Sequence, residues 1–248
     1  MTLALILGSA ACVWDDLAVA KELIGDRAHV VIIANYTGIK YAGDIDAWVT
    51  LHPDLMNNWQ DQREALGFNT DYRSFTHENR RNVRAEIVRE RYQGSSGLYA
   101  AHVGFRAFGA SGVILCGVPM DADAGHIIRA GQWGPVAKYR PAFEQAKADG
   151  LNIRSMSGWS GALFGAPDAD WIASMNLPKL VNRPRERKGR PLEMHVLFLR
   201  DCNFIPPENR RAAVAYKKGM KLTIKKAWAE KMIAEGFCEK APTPKRPS

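Results

Sequence analysis

The sequence predicts an α/β fold: a Rossmann-like, mostly parallel sheet with helices on both faces, followed by a small α+β module. Short apolar runs alternate with helical stretches over residues 3–165. Strands that alternate with helices favour a parallel sheet joined by crossover connections. The run Val113–Val118 is apolar throughout, which is typical of a strand buried on both faces.

Composition indicates an ordinary soluble globular protein. Of the 248 residues, 46% are hydrophobic and 24% are charged. No apolar run approaches the roughly 20 residues that span a membrane, and the start of the chain lacks the basic region of a signal peptide. Four widely spaced cysteines favour neither a disulfide framework nor a zinc site. We therefore expect a cytoplasmic protein without a membrane span.

Charge divides the chain into two parts. Residues 179–248 contain 18 Lys and Arg against 7 Asp and Glu, a net +11, whereas the whole chain carries +8. The pattern predicts a nucleotide-binding domain over 1–178, a basic linker over 179–192, a strand-strand-helix module over 193–241 and a disordered tail over 242–248. A basic region favours contact with nucleic acid or another protein, and a solvated surface is the alternative.

The first strand is predicted over Leu3–Gly8, and a helix over Asp15–Ile24 follows a turn of small residues. Strand, tight turn and helix form the opening of a nucleotide-binding unit, in which Gly8 and Ser9 are candidate ligand contacts. Only one glycine is present in the turn, so the dinucleotide fingerprint is missing and NAD is not expected. The same pattern also begins any doubly wound sheet.

Two polar residues follow the next predicted strands, His29–Ala34 and Asp46–Leu51. Asn35 is a candidate contact to a base or ribose through both groups of its amide, or it closes its own loop as an Asx-turn. His52 is a candidate ligand contact or a structural histidine. Parallel strands bring these ends to one edge, where such sheets bind ligands.

A small-residue turn precedes the central helix, which ends at Gly109, a C-cap glycine. Backbone N–H groups and the helix dipole attract anions at such a turn, so Ser95, Ser96 and Gly97 are predicted to hold a phosphate. In the loop after the strand Val113–Val118, the candidate proton-transfer groups are His126 and Asp123.

The same loop has an Asp-Ala-Asp spacing, Asp121 to Asp123, which suits a divalent metal or is simply an acidic loop. No other cofactor is expected. Further along, residues 125–135 are predicted to form a lid-like loop.

The remaining elements are simpler. Residues 69–91 are Arg-rich and predicted to be a solvated or mobile segment that is partly helical, and any of its arginines is a candidate partner for a phosphate at Ser95–Ser96. The other predicted elements are helices over 56–67, 139–147 and 225–235, strands over 151–156, 194–199 and 220–224, and a Ser/Gly turn over 157–161.

These motifs resemble a known superfamily over residues 3–165. A Ser-Ser-Gly turn before a helix, a strand that ends in glycine and an Asn after the second strand are similar to the bacterial CMP-sialic-acid sialyltransferases and the archaeal-type pterin pyrophosphokinases. The resemblance implies a Rossmann-like fold and a nucleotide-linked donor. Two departures stand out: Pro119 replaces the family's acidic residue, and Lys138-Tyr139 occupies the place of its histidine base.

The C-terminal module resembles small modules of phage and prophage proteins through Tyr216–Met220 and the helix that ends at Gly236. Together the resemblances imply a phage- or prophage-encoded glycosyltransferase-like protein that binds a nucleotide-linked small molecule. The alternative is a non-catalytic virion or assembly protein that keeps the scaffold and docks to phage structural proteins or nucleic acid through its basic region.

Overall fold

A computed structural model describes residues 2–92, 94–128, 135–179, 193–204 and 214–241. The chain divides into two compact units, Met1–Asn182 and Arg183–Ser248. Most of the predicted lid-like loop and of the basic linker lies outside the described residues, and so does the whole predicted tail.

The first unit is built on a seven-stranded sheet in which every neighbouring pair is parallel. The strand order is β5-β4-β3-β2-β1-β6-β7. The α/β fold class is thereby confirmed. The strands are β1 (Thr2–Leu7), β2 (His29–Ala34), β3 (Ala47–Thr50), β4 (Arg73–Thr76), β5 (Glu86–Ile87), β6 (Ala110–Cys116) and β7 (Ile153–Ser155).

Helices cover both faces of this sheet. Alternation along β1 sends Ala4 and Ile6 into one core and Leu3, Leu5 and Leu7 into the other. The first core also contains side chains of α4, α5 and α6, and the second contains side chains of α1, α2, α3 and α7. These helices are α1 (Val13–Ile24), α2 (Thr37–Lys40), α3 (Pro53–Ala65), α4 (Ser96–Phe108), α5 (Val136–Ala148), α6 (Gly158–Phe164) and α7 (Ala169–Ser174).

The expectation for residues 69–91 was wrong. This segment adds two parallel strands, β4 and β5, to the edge of the sheet. Phe75 explains why: it is 1% exposed and packs in the core beneath α4. Charged residues flank it, and Arg73 pairs with Glu86 across the two strands at 2.6 Å. The polar and charged residues around Phe75 therefore obscure the sequence pattern of this four-residue strand.

The Ser/Gly turn predicted over 157–161 is instead the start of α6, which ends at Gly165 with a φ of 82°. The sequence reading also missed α7. Asp168 caps that helix, because its side chain accepts a hydrogen bond from the Trp171 N–H at 2.7 Å.

One buried arginine holds together the connections after β2 and β3. Arg63 on α3 is 0% exposed, and its guanidinium donates only to backbone carbonyls. The acceptors are Gly38 at 2.7 Å, Tyr41 at 2.6 Å, Gly43 at 3.0 Å and Asn69 at 2.7 Å. One side chain thus satisfies four carbonyls of two loops, and burial lowers its pKa.

We expect Arg63→Met to lower the free energy of unfolding by about 3 kcal/mol or more, because buried carbonyls lose charge-assisted donors worth about 1.5–3 kcal/mol each. Urea denaturation measures this loss. The control is Arg81→Met at an exposed position, which should stay within about 0.5 kcal/mol of the parent. Equal losses in the two variants would contradict a structural role for Arg63.

The second unit is a small α+β module, as predicted. An antiparallel sheet of order β11-β8-β12 and a two-stranded ribbon of β9 and β10 accompany one helix. Its core includes Val196, Phe198, Met232 and Cys238. The sequence analysis missed three of these strands, β9, β10 and β12. The elements are β8 (Glu193–Phe198), β9 (Cys202–Phe204), β10 (Val214–Tyr216), β11 (Lys221–Lys225), α8 (Lys226–Ala234) and β12 (Cys238–Lys240).

Within the described ranges of both units, no helix has the length and apolar character needed to cross a membrane.

Candidate ligand-binding cavity

A cavity of about 360 Å³ opens at the carboxyl edge of the sheet. The strands progress in one direction from β1 to β5 and in the other from β6 to β7, so the chain reverses between β1 and β6. Open α/β sheets bind ligands at this reversal. Most of the predicted site residues line the cavity: Gly8, Ser9, Asn35, His52, Ser95, Ser96, Gly97, Asp121 and His126.

The turns after β1 and β6 touch backbone to backbone beneath the cavity. A Cβ atom on Gly8 would collide with the carbonyl oxygen of Gly117, so glycine is required there. Asp16 on α1 fixes the second turn: its Oδ2 accepts from the Gly117 N–H and from the Ser157 hydroxyl, both at 2.8 Å. Asp16 therefore joins α1, β6 and the start of α6 beneath the cavity.

The N-terminus of α4 forms one wall. Its first intrahelical hydrogen bond runs from the Tyr99 N–H to the Ser95 carbonyl at 2.9 Å, so the N–H groups of Ser96, Gly97 and Leu98 precede the hydrogen-bonded helix. Gly97 keeps this wall close to β6, because a Cβ there would lie 2.8 Å from Val118.

Two serine hydroxyls lie at the same wall. Ser95 and Ser96 are only 5% and 8% exposed, yet both line the cavity. Ser95 occupies the N-cap position without a side-chain capping bond, and across the described part of the chain neither hydroxyl has a hydrogen-bond partner. Helix N–H groups and hydroxyl donors therefore converge where the sequence predicts a phosphate.

Ser9 lines the cavity and also contacts α2 through its hydroxyl. Thr37 donates its hydroxyl proton to the Gly8 carbonyl at 2.6 Å. In the 2.8 Å contact between Ser9 Oγ and Thr37 Oγ1, Ser9 must therefore be the donor. Its proton fastens the turn after β1 to α2, so the hydroxyl is left to accept hydrogen bonds from a ligand.

The amide of Asn35 is held in one orientation by a neighbouring hydroxyl. The His52 N–H donates to Thr50 Oγ1, and this hydroxyl donates to Asn35 Oδ1, both at 2.8 Å. These two hydrogen bonds identify the oxygen of the amide, and the NH₂ group has no hydrogen-bond partner among the described residues, so it is available as a donor. Asn35 also has a φ of 54°, which asparagine tolerates better than most residues.

Two histidines line the cavity, and they differ in their contacts. His126 Nδ1 accepts from the Ile128 N–H at 3.3 Å, which places the proton of the neutral ring on Nε2 and makes this nitrogen a donor. His52 is exposed, and its ring has no hydrogen-bond partner among the described residues. His52 is therefore the better-placed proton acceptor, although the sequence favoured His126.

The acidic loop places no free carboxylate among the described residues of the cavity. Asp123 is exposed and does not line the cavity. Asp121 does line it, but its Oδ1 accepts from Arg140 at 3.2 Å and its Oδ2 from the Trp159 N–H at 3.0 Å. Nowhere in the described ranges do three His, Cys, Asp or Glu side chains come together as metal ligands.

Sequence reasoning missed Asp16 and Tyr139. Tyr139 lines the cavity beside Gly94, whose φ is 106° and where any Cβ would collide with the tyrosine ring. None of the arginines of residues 69–91 lines the cavity, and neither does any other described Arg or Lys. The candidate arginine partners of a phosphate therefore lie outside the cavity. A polar residue on an otherwise apolar helix face was the one available signal for Asp16.

Comparisons with known proteins return no match for this chain among protein-family models, curated proteins or solved structures.

We expect Asp16→Asn to lower the free energy of unfolding by about 1–3 kcal/mol, because the two donors that meet at Oδ2 lose their charged acceptor. Thermal and urea unfolding measure the change. Asp15→Asn is the matched control, since Asp15 is exposed on the same turn of α1. Equal effects at both positions would show that Asp16 acts only through the charge of the helix N-terminus.

Proposed function

We propose that this chain binds a nucleotide-linked donor in the cavity, with a phosphate against the N-terminus of α4, and transfers the donor's glycosyl group. The observation that carries the binding proposal is the pair of hydroxyls of Ser95 and Ser96, which line the cavity without a hydrogen-bond partner among the described residues and lie beside the first N–H groups of α4. A helix N-terminus is an anion-binding arrangement. A phosphate oxygen at this wall would accept hydrogen bonds from the hydroxyls and from the N–H groups together.

The nucleoside part is assigned to the β2 side of the cavity. The Asn35 NH₂ group is held as a donor by the Thr50 contact, and a base carbonyl or ribose oxygen is its natural acceptor. The turn after β1 can approach the ligand closely because Gly8 lacks a side chain. This orientation places phosphate and nucleoside on opposite sides of the β1–β6 reversal.

Transfer of a sugar from the bound donor is the second part of the proposal. It rests on the resemblance of the Ser95–Gly97 turn, the turn after β1 and Asn35 to the sialyltransferase-type superfamily. For the proton of an acceptor hydroxyl, His52 is the favoured base, because its ring lacks competing contacts in the described structure. A phage or prophage origin follows the resemblance of the C-terminal module and belongs to the same proposal.

The binding proposal predicts stabilisation by a nucleotide. Screening CMP, CDP, UDP, GDP, ATP and CMP-sialic acid, with and without Mg²⁺, should give a selective thermal shift of several degrees. A ligand at 100 times its dissociation constant adds about 2.7 kcal/mol of stability. Ser96→Ala and Asn35→Asp should abolish the shift.

The matched control is Ser111→Ala, because Ser111 lies near the start of β6, at the opposite edge of the sheet. This variant should keep the full shift. If no nucleotide stabilises the parent chain, or if Ser111→Ala loses the shift as Ser96→Ala does, the binding proposal fails.

The catalytic proposal predicts different behaviour for the two histidines. With the donor found in the screen, His52→Gln should lower turnover by about 10²–10⁴-fold, the usual contribution of a general base, while the donor's thermal shift persists. His126→Gln should retain most of the turnover. Steady-state release of the free nucleotide measures both, and the reverse ranking would return the role of base to His126.

A non-catalytic virion or assembly protein is the second candidate. The observation that favours it is the engagement of both Asp121 oxygens, which leaves no free carboxylate among the described cavity residues. Binding without donor turnover, together with the chain in purified phage particles, would support this candidate over the enzyme.

A further inference from the structure

A second cavity lies on the outer side of α4 and is lined by cations. This groove, about 620 Å³ in volume, is formed by Ile87, Val88, Arg89, Arg91, His102 and Arg106. It shares no lining residue with the candidate ligand-binding cavity. Because an α-helix rises about 1.5 Å per residue, His102 and Arg106 lie roughly 9 and 15 Å along α4 from Ser96.

Local contacts hold the two walls of the groove in place. His102 and Arg106 are four residues apart and therefore share one face of α4. The opposite wall is the segment after β5, and the Tyr99 hydroxyl donates to its Val88 carbonyl at 2.8 Å. Tyr92 anchors the end of this segment through its hydroxyl, which donates to Asp149 at 2.7 Å.

The positive charge of the groove is largely uncompensated. No Asp or Glu of the described residues lines it. Arg91 pairs with Asp149 at 2.9 Å, but Arg89 and Arg106 are exposed and form no ion pair within the described structure. The neighbouring acids are engaged elsewhere: Glu86 pairs with Arg73, and Glu90 accepts from the Gly94 N–H.

We propose that this groove is an anion-binding site for a ligand that carries two or more phosphate groups. Guanidinium groups donate paired hydrogen bonds to phosphate oxygens and stay charged at every physiological pH. Three of them border one groove with a single carboxylate partner between them, so a multiply charged anion matches the site better than one carboxylate. Ile87 and Val88 provide an apolar floor.

His102 offers a local reporter of occupancy. Burial lowers its pKa, and the positive charges of Arg106 and Arg91 lower it further. Tyr92 is its aromatic neighbour, with ring centroids 6.1 Å apart. A bound phosphate would offset the two arginines and raise the His102 pKa, whereas a ligand in the other cavity would leave it unchanged.

The test measures binding of tripolyphosphate and of a single-stranded DNA oligonucleotide to the full chain by calorimetry, with the His102 resonances followed by NMR. Arg89→Gln/Arg106→Gln should weaken binding at the groove roughly 100-fold, about tenfold for each charge-assisted contact removed. The matched control, Arg81→Gln/Arg84→Gln, removes the same charge from exposed arginines outside the groove and should bind as the parent does.

The two probes distinguish the sources of phosphate. If the oligonucleotide binds much more tightly, and the groove variant reduces its salt slope by about 1.4, nucleic-acid phosphates are the ligand. If tripolyphosphate binds as tightly, a small phosphate compound is the ligand.

Three results would overturn the proposal: unchanged His102 resonances with both probes, an equal loss of binding in the control variant, or equally tight binding of polyglutamate. Ser96→Ala should leave the groove unaffected, so failure of the proposed donor site and failure of this groove are separate outcomes.

Discussion

The direct backbone contact between the turns after β1 and β6 is the constraint on which the cavity depends. It requires a glycine at position 8, because any side chain there would meet the Gly117 carbonyl. The contact also buries the Gly117 N–H, which needs an acceptor, and the buried Asp16 supplies it from α1. Backbone hydrogen bonds from Gly8 and Ala10 join the two turns directly. The carboxylate of Asp16 then ties the second turn to α1 and to the start of α6.

Against this background, the unpartnered hydroxyls at α4 are informative. Elsewhere the chain satisfies demanding polar groups with dedicated side chains, as Arg63 does for four carbonyls and Asp168 does for the start of α7. Ser95 and Ser96 are the contrary case: their hydroxyls face the cavity without a partner among the described residues, and they lie together at a helix N-terminus. A ligand oxygen in the cavity would be the acceptor that the described chain does not provide.

How far the sequence predicted this structure depends on how local each signal is. The apolar strands and the turns at Gly8 and Gly97 are recognisable within a few residues, so the fold class was predictable and most of the predicted site residues line the cavity. Asp16, Arg63 and Tyr139 act on partners distant in the sequence, and of these only Asp16 carries a local signal, a polar residue on an otherwise apolar helix face. Polar and charged neighbours obscure the sequence pattern of the strand around Phe75. Among the described residues the His52 ring has no hydrogen-bond partner, whereas His126 Nδ1 accepts one, and this difference depends on contacts that only the fold creates.

The two proposed sites on α4 recognise anions by different physics. At the N-terminus the donors are N–H and hydroxyl groups, and no described cation lines the cavity, so selectivity must come from short-range geometry. In the groove the donors are guanidiniums, one on α4 and two on the segment after β5, and their attraction extends over a Debye length of about 10 Å at 0.1 M salt. Increasing ionic strength should therefore weaken anion binding at the groove far more than at the cavity. Because the two sites share no lining residue and attract anions through different donors, we expect them to take separate ligands.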